Sequence, residues 1–574
     1  MNIITEKINL DSLKTSSSKQ LNELAKEIRA FLISLSKQKE IHLGSNLGIV
    51  ELTISLFINF DFYQDKILYD TGHQTYIHKI LTNRIDEILK IKEKESSCGL
   101  MELNATPFDH YSPGHSGNII SVLSGLYKKN SLNYFVGVIG DAALSNGLAI
   151  EGLLDVGFNK QKIIIILNDN QMSISKTVGA LSSYLKGLKS NHYSVHNYKN
   201  FFNNLGFAYI GKIDGHNIDK VNKAIKKAKS IVKNGPVIVH VKTIKGKGIK
   251  EAENNNDNSF HTISLSNKMT FGKVAYQNLN QKLQSDKNII IINPAMNIGS
   301  GFAKMLTDWP NNYFDVGICE EHAISKASGA CLANKKVFVL FYSTFLQRSY
   351  DQLIHDCARL NLNLTILLDR SDVACSEGNS HHGIFDVGYL KTIPNTTINM
   401  PRNFNQLNQL LDWAYHKNNG INIIRYPTAP FINLENEQET NNNFQIQEKV
   451  PEFIINNHAD YLIITYGPYT DVLKQAIINQ NQNIDLINAI WINNLDEKIY
   501  QDILKQYKTI VVYERIYSNL GLFAEINEIK NKFNLTCKLI PCNYKNFVGF
   551  GQLDVIDRNQ EMDFEALKKF FTNH

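Results

Sequence analysis

Residues 134–175, YFVGVIGDAALSNGLAIEGLLDVGFNKQKIIIILNDNQMSIS, decide the fold. The apolar runs YFVGVI (134–139) and KIIIIL (162–167) are rich in β-branched and aromatic residues and too short for helices, so they read as strands. Neither alternates apolar with polar residues, which marks strands covered on both faces, as in a parallel sheet. The chain between them is long enough for a crossover helix. After the first run, the turn Gly140-Asp141-Ala142-Ala143 lets backbone N–H groups at a helix start face a phosphate, with an acidic side chain free for a divalent cation. Successive strands of a parallel sheet end on the same edge, so Asp141 and Asn170, 29 residues apart, can converge on one ion. The plain alternative is that GD and NDN are ordinary turn residues at strand ends.

The same alternation of apolar runs and helical periodicity recurs along the chain, predicting an α/β protein of mostly parallel sheets covered by helices. VIVHV (237–241) completes a first set of strands, preceded by a helix whose inner face is Ile218, Val221, Ile225, Ala228 and Ile231. After the polar stretch ENNNDNS (253–259) come NIIIIN (288–293), KVFVLF (336–341) and LTILLD (364–369). After a second, NLENEQETNNNFQIQE (433–448), come YLIITYG (461–467), IDLINAIWI (484–492) and TIVVYE (509–514). Three domains are expected, 1–268, 269–445 and 446–574, which suits 574 residues of 43% hydrophobic composition.

Sixty basic and 55 acidic residues give a net charge of +5 without a long Lys/Arg block, so nucleic acid is not an expected partner. No run of about 18 apolar residues and no signal-peptide pattern occurs, so a cytoplasmic, soluble protein is expected. Seven cysteines without CxxC spacing suggest neither a disulfide framework nor a zinc site.

The spacing of Asp141 and Asn170 resembles the motif of transketolase-like thiamine-diphosphate enzymes, GDG followed downstream by Asn, although Ala142 replaces the second glycine. FDVGICEEHAISKASG (314–329) is similar to that family's FDVGIAEQHAV, and FYSTFLQRSYDQ (341–352) to the YSTFLQRAYDQ of the 1-deoxy-D-xylulose-5-phosphate synthases. Further likenesses lie in HLGSNLGIVELTISL (His42), YDTGHQTYIHKILTNR (His73), SPGHSG (His115, Ser116), KGKG (Lys245) and SFH (His261). DRSDVACSEGNSHHGIFD (369–386) matches DRAGxVGxDGxTHxGxFD, with Arg370 and His381 kept and Glu377 in place of Asp.

The resemblance implies the transketolase-like thiamine-diphosphate-binding fold, thiamine diphosphate and Mg²⁺ as cofactors, pyruvate and an aldehyde as substrates, and a homodimer. By it, Asp141, Asn170 and the carbonyl of Met172 hold the metal. His73, His115, Ser116, Ala142, Ala143, Asn170, Met172, Ile174, Lys245 and Phe345 contact the cofactor. Glu320 is the acid at the aminopyrimidine, with Glu321 in place of Gln. His42, His261 and His381 face the reacting carbons, and Tyr342, Arg348, Arg370 and Glu377 line the substrate.

RYPTA (425–429) stands where the family has RYPRG, so an Arg that clamps the acceptor's phosphate is Thr428 here. Asn297 in PAMNIGSG and a shortened link after MSIS are further departures. They raise as alternatives a paralogue acting on another, unphosphorylated aldehyde or a transketolase acting on ketose donors, and a separate alternative is an inactive binding or scaffold protein. A dinucleotide dehydrogenase lacks its GxGxxG.

Overall fold

The computed structural model describes residues 8–91, 93, 99–172, 177–188, 192–194, 200–254, 269–373, 378–417, 419–431 and 444–572. The chain divides into two compact units, one of residues Met1–Asn267 with Gly317–Cys319, the other of Lys268–Val316 with Glu320–His574.

The first unit is built on β1 (Lys66–Tyr69), β2 (Phe135–Gly140), β3 (Ile163–Asp169), β4 (His192–Ser194), β5 (Ala208–Asp214) and β6 (Val237–Lys242), in the order β1-β2-β3-β6-β5-β4. All neighbours are parallel except β4 and β5. The register pairs Gly140 with Asn168 and Asp169 with Lys242, so the C-terminal ends of β2, β3 and β6 lie side by side. The helix Ile218–Ile231 buries Ile218, Val221, Ile225 and Ala228 of the predicted face and also Ala224, while Ile231 is half-buried, and Asn217 caps its start by accepting from Lys220 N–H.

A buried chain of polar contacts braces this unit. Arg29 binds both Glu51 oxygens at 2.5 and 2.6 Å, Glu51 meets His216 Nδ1 at 3.1 Å, and His216 Nε2 accepts from Ile244 N–H at 2.9 Å. Burial pushes the Glu51 carboxyl up, but the hydrogen bonds from His216 and Arg29 outweigh it and bring it to about 2. A depressed carboxyl stabilises the fold fully above its ordinary value of 4.5 and loses that contribution as the pH falls through about 2. The shift is worth on the order of 3 kcal/mol. Glu51→Gln is therefore expected to cost most of that at pH 7, with the deficit shrinking below pH 4.5. Chemical denaturation of both proteins across this range checks it, and a pH-independent deficit would refute it.

The second unit holds two sheets. One contains β7 (Ile289–Asn293), β8 (Tyr313–Asp315), β9 (Lys336–Tyr342), β10 (Leu364–Asp369), β11 (Thr396–Asn399) and β12 (Ile421–Arg425), all parallel, in the order β11-β12-β10-β9-β7-β8. The other contains β13 (Glu452–Ile455), β14 (Tyr461–Thr465), β15 (Asp485–Asn488), β16 (Thr509–Tyr517) and β17 (Lys538–Tyr544), in the order β13-β15-β14-β16-β17. It is parallel except for β13 against β15. The mostly parallel, helix-covered architecture is the one the apolar runs predict. IDLINAIWI, however, stops being a strand after Asn488, because Ile490 takes a left-handed φ of 62°.

One apolar cluster runs through both sheets, from Phe271 and Ile291 to Leu462, Trp491 and Ile526. Buried Arg402 reaches Asp471 at 2.6 Å and Glu452 at 3.3 Å, and Trp413 meets Trp491 edge-on at 4.9 Å. Among the described residues no helix is long and apolar enough to cross a membrane, and Cys319, Cys331, Cys357, Cys537 and Cys542 are free thiols.

Candidate active site

In the first unit the predicted residues follow consecutive strand ends on one sheet edge. After β1, buried Asp70 accepts from Gly117 N–H at 2.8 Å and from Ile119 N–H at 3.2 Å, which shapes the turn carrying His115 and Ser116. Gly117 has φ +97°, and a Cβ there would lie 2.7 Å from the Asn146 side chain, so this turn needs glycine. Buried Asn46 donates to the carbonyls of both His42 (2.8 Å) and His73 (2.7 Å) and accepts from Tyr76 N–H at 3.0 Å. It thereby holds the two half-buried imidazoles edge to face, 5.9 Å apart.

Asp141 follows β2 and is buried. Its Oδ1 accepts from Asn170 N–H at 3.3 Å and its Oδ2 from the Thr177 hydroxyl at 3.2 Å. Asn170 Oδ1 accepts from Met172 N–H at 2.9 Å, so the three predicted metal residues are linked across two neighbouring turns. Burial, with the charge of Asp169 beside it, pushes the Asp141 carboxyl up to about 7. Loss of water around its ammonium pushes Lys245 down to about 7, against the pull of Asp141.

A cleft of about 470 Å³ is lined by Asn170, Met172, Thr177, Lys245 and Gly246 among others. One destabilised carboxylate, neutral amide and carbonyl oxygens and a neighbouring ammonium fit a divalent cation carried by a diphosphate. Ala142 and Ala143 lie at the turn, and Ala142 has φ −67° and ψ −44°, ordinary right-handed values, so the methyl replacing glycine brings no backbone strain.

In the second unit, Glu320 opens the helix Glu320–Leu332 after β8 and is 3% exposed. Burial pushes its carboxyl above the usual range although Arg348 Nη1 lies 3.4 Å away. Burial of this kind favours the protonated form of a carboxyl, the form that can donate a proton. Tyr342 ends β9, and its ring stacks on Phe345 at 5.6 Å with an interplanar angle of 7°. Gly299 makes room for it, since a Cβ there would fall 2.0 Å from the Tyr342 hydroxyl. Arg370, after β10, lies over the Tyr342 ring at 4.3 Å and pairs with Asp369. His381 meets Phe345 edge-on at 5.6 Å, and its Nδ1 is 2.8 Å from Ser380 Oγ. Asn297 is structural: buried, it accepts from the Tyr313 hydroxyl at 2.6 Å and donates to Asp315 at 2.5 Å.

The first unit thus brings His42 together with His73, and Asp141 with Asn170, Met172 and Lys245, while His115 and Ser116 sit on the Asp70-held turn. The second gathers Glu320 with Arg348, and Tyr342 with Phe345, Arg370 and His381. Ile174, His261 and Glu377 lie outside the described residues.

Sequence reasoning missed Asn46, Asp70 and a buried relay behind Asn170. There the Tyr209 hydroxyl lies 2.8 Å from His240 Nδ1, and His240 Nε2 lies 2.7 Å from Asp169 Oδ2. The one available signal is a histidine inside the apolar run VIVHV.

Comparison with known proteins bears on the whole chain. The family model described as 1-deoxy-D-xylulose-5-phosphate synthase matches residues 4–198 and 189–243, and that of the transketolase pyrimidine binding domain matches residues 267–430. A 1-deoxy-D-xylulose-5-phosphate synthase of Malacoplasma penetrans is 40% identical over 97% of this chain and 97% of its own. One of Clostridium acetobutylicum is 34% identical over 99% of both. A solved transketolase of Pichia stipitis aligns over 97% of each chain at 14% identity and a TM-score of 0.45, too distant to argue from. With relatives this similar from end to end, the chain belongs to the 1-deoxy-D-xylulose-5-phosphate synthase family.

Proposed function

We propose that the chain decarboxylates pyruvate and joins the remaining two-carbon unit to D-glyceraldehyde 3-phosphate, with the residues gathered above as its machinery. As its family entails, it is a thiamine-diphosphate-dependent two-carbon transferase that uses Mg²⁺ and small-molecule substrates. The observation that carries the assignment of residues is the cleft at the ends of β3 and β6, where Asn170, Met172 and Lys245 lie together beside Asp141. Asp141, Asn170 and the Met172 carbonyl would hold the cation, and Lys245, His73, His115, Ser116, Ala142, Ala143 and Ile174 the cofactor, with Phe345 against its pyrimidine.

When bound, thiamine diphosphate supplies the carbon nucleophile that attacks the ketone of pyruvate. Glu320 holds the proton exchanged at the aminopyrimidine, and Arg348 keeps its carboxyl oriented. His42, His261 and His381 hold the pyruvate carboxylate and move protons, and Tyr342, Arg370 and Glu377 orient the acceptor. A cytoplasmic homodimer with domains at 1–268, 269–445 and 446–574 completes the reading. A paralogue with another acceptor and an inactive scaffold are not favoured, since relatives aligned from end to end carry the synthase name.

Carbon dioxide release from pyruvate, measured with and without D-glyceraldehyde 3-phosphate, tests the reaction. Strong stimulation by the aldehyde supports it, and decarboxylation that ignores the aldehyde removes the acceptor assignment. Thr428 is exposed and its carbonyl accepts from Phe271 N–H at 3.1 Å, so its side chain is free to be lengthened. A charge-assisted phosphate contact is worth about 1.5 to 3 kcal/mol. Thr428→Arg is expected to lower the KM for the phosphorylated aldehyde by about tenfold or more and leave that for pyruvate unchanged. An unaltered aldehyde KM would place Thr428 away from the phosphate.

A further inference from the structure

Arg515 lies in the run VVYERIY of β16, where a guanidinium is the least expected side chain of a buried strand. Its Nε donates to both carboxylate oxygens of Asp372 at 2.8 Å. Its Nη1 donates to Asp557 at 2.7 Å and to the Tyr513 hydroxyl at 3.2 Å. The Tyr469 ring lies 4.3 Å from the guanidinium carbon, and the Tyr469 hydroxyl donates to Asp557 at 2.8 Å. Desolvation offsets most of the attraction in a buried ion pair, so a net gain in stability is a weak reason for this one, although removing either partner is costly. Its position gives a stronger one.

Asp372 has φ 84°, a left-handed conformation uncommon for a residue with a side chain. In that conformation it exchanges two backbone hydrogen bonds with Gly383, at 2.9 and 2.8 Å. The pairing joins the chain just beyond Arg370 to the chain just beyond His381. A Cβ at Gly383 would lie 2.3 Å from the Arg370 carbonyl oxygen, so the two segments touch. From the other side Arg425 Nη2 donates to the Gly383 carbonyl at 3.3 Å and to Asp386 at 3.0 Å. His382 Nε2 stands 3.1 Å from the Gly549 carbonyl oxygen. Arg370 and His381 therefore spring from a two-residue bracket held by a charge from the neighbouring sheet.

We propose that Arg515 is a positioning residue for the substrate side of this site: by holding the Asp372 carboxylate it fixes the left-handed turn and, through Gly383, the placement of Arg370 and His381. The kinetic part of this inference rests on the functional reading above; the anchor itself does not.

The test compares Arg515→Met, Arg515→Lys and the double variant Asp372→Gly/Arg515→Met in the full chain. Amide exchange at Asp372 and Gly383 is read against that of β14, together with KM and kcat. Arg515→Met is expected to speed exchange at those two amides about tenfold or more, with β14 unchanged. It should raise the aldehyde KM about tenfold and change kcat far less. A single ammonium cannot serve Asp372 and Asp557 together, so Arg515→Lys should fall between. The double variant should recover most of both effects, since glycine takes the positive φ freely and leaves no carboxylate at that position unpaired.

Unchanged exchange at Asp372 and Gly383, or a loss spread equally over β14, overturns the proposal. If Arg515→Met fails to fold, Arg515→Lys and the double variant decide by the same readings. If the wild-type protein shows no aldehyde-dependent turnover, the functional reading fails, and amide exchange alone decides the anchor.

Discussion

Glu320→Gln is expected to lower turnover about 10³-fold while thiamine-diphosphate affinity stays within a few-fold. The amide is nearly the shape of the acid and can still meet Arg348, so the helix Glu320–Leu332 has no reason to move. What it loses is the ability to give up and take back a proton, at a carboxyl whose proton affinity burial raises. Calorimetric titration of the cofactor beside steady-state kinetics separates the two effects. Turnover above a tenth of the wild-type value would show that another group supplies the proton.

Asp141→Asn is expected to weaken Mg²⁺-dependent binding of thiamine diphosphate about a hundredfold or more, because it removes the one carboxylate of the proposed ligand set. The metal-free protein should lose no stability. The Asp141 carboxyl is pushed up to about 7 by burial and by Asp169, so a neutral amide relieves a penalty there. Thermal unfolding without Mg²⁺ should give a midpoint equal to or above that of the wild type. A clearly lower midpoint would make Asp141 a structural carboxylate and withdraw it from the metal.

The sequence made the sheets legible where strands are long and uniformly apolar, as in KIIIIL and LTILLD. It did not reveal β1, β4, β5, β11, β12, β13 or β17, because each is short or broken by glycine, proline or polar residues and carries too little pattern to separate from a loop. The motifs did place Asp141 and Asn170 on one sheet edge, since parallel strands deliver successive turns there. The groups that hold those turns were not legible. Asn46, Asp70, His240 and Arg515 act on partners dozens of residues away or more, and no local spacing encodes such a pairing. The sign they leave is an ionisable or amide side chain inside a stretch otherwise fit for a core, as in VIVHV and VVYERIY.

The single apolar cluster shared by the sheets of β7–β12 and β13–β17 bears on how such a gene can be rearranged. A break in the coding sequence between codons 267 and 268 would leave the products on either side with their cores whole. A break near codon 445 would divide one core and leave Arg402 separated from Glu452 and Asp471, and Arg515 from Asp372. Recombination that trades the last sheet on its own thus carries a folding penalty unless the apolar face and the buried charges it packs against are matched.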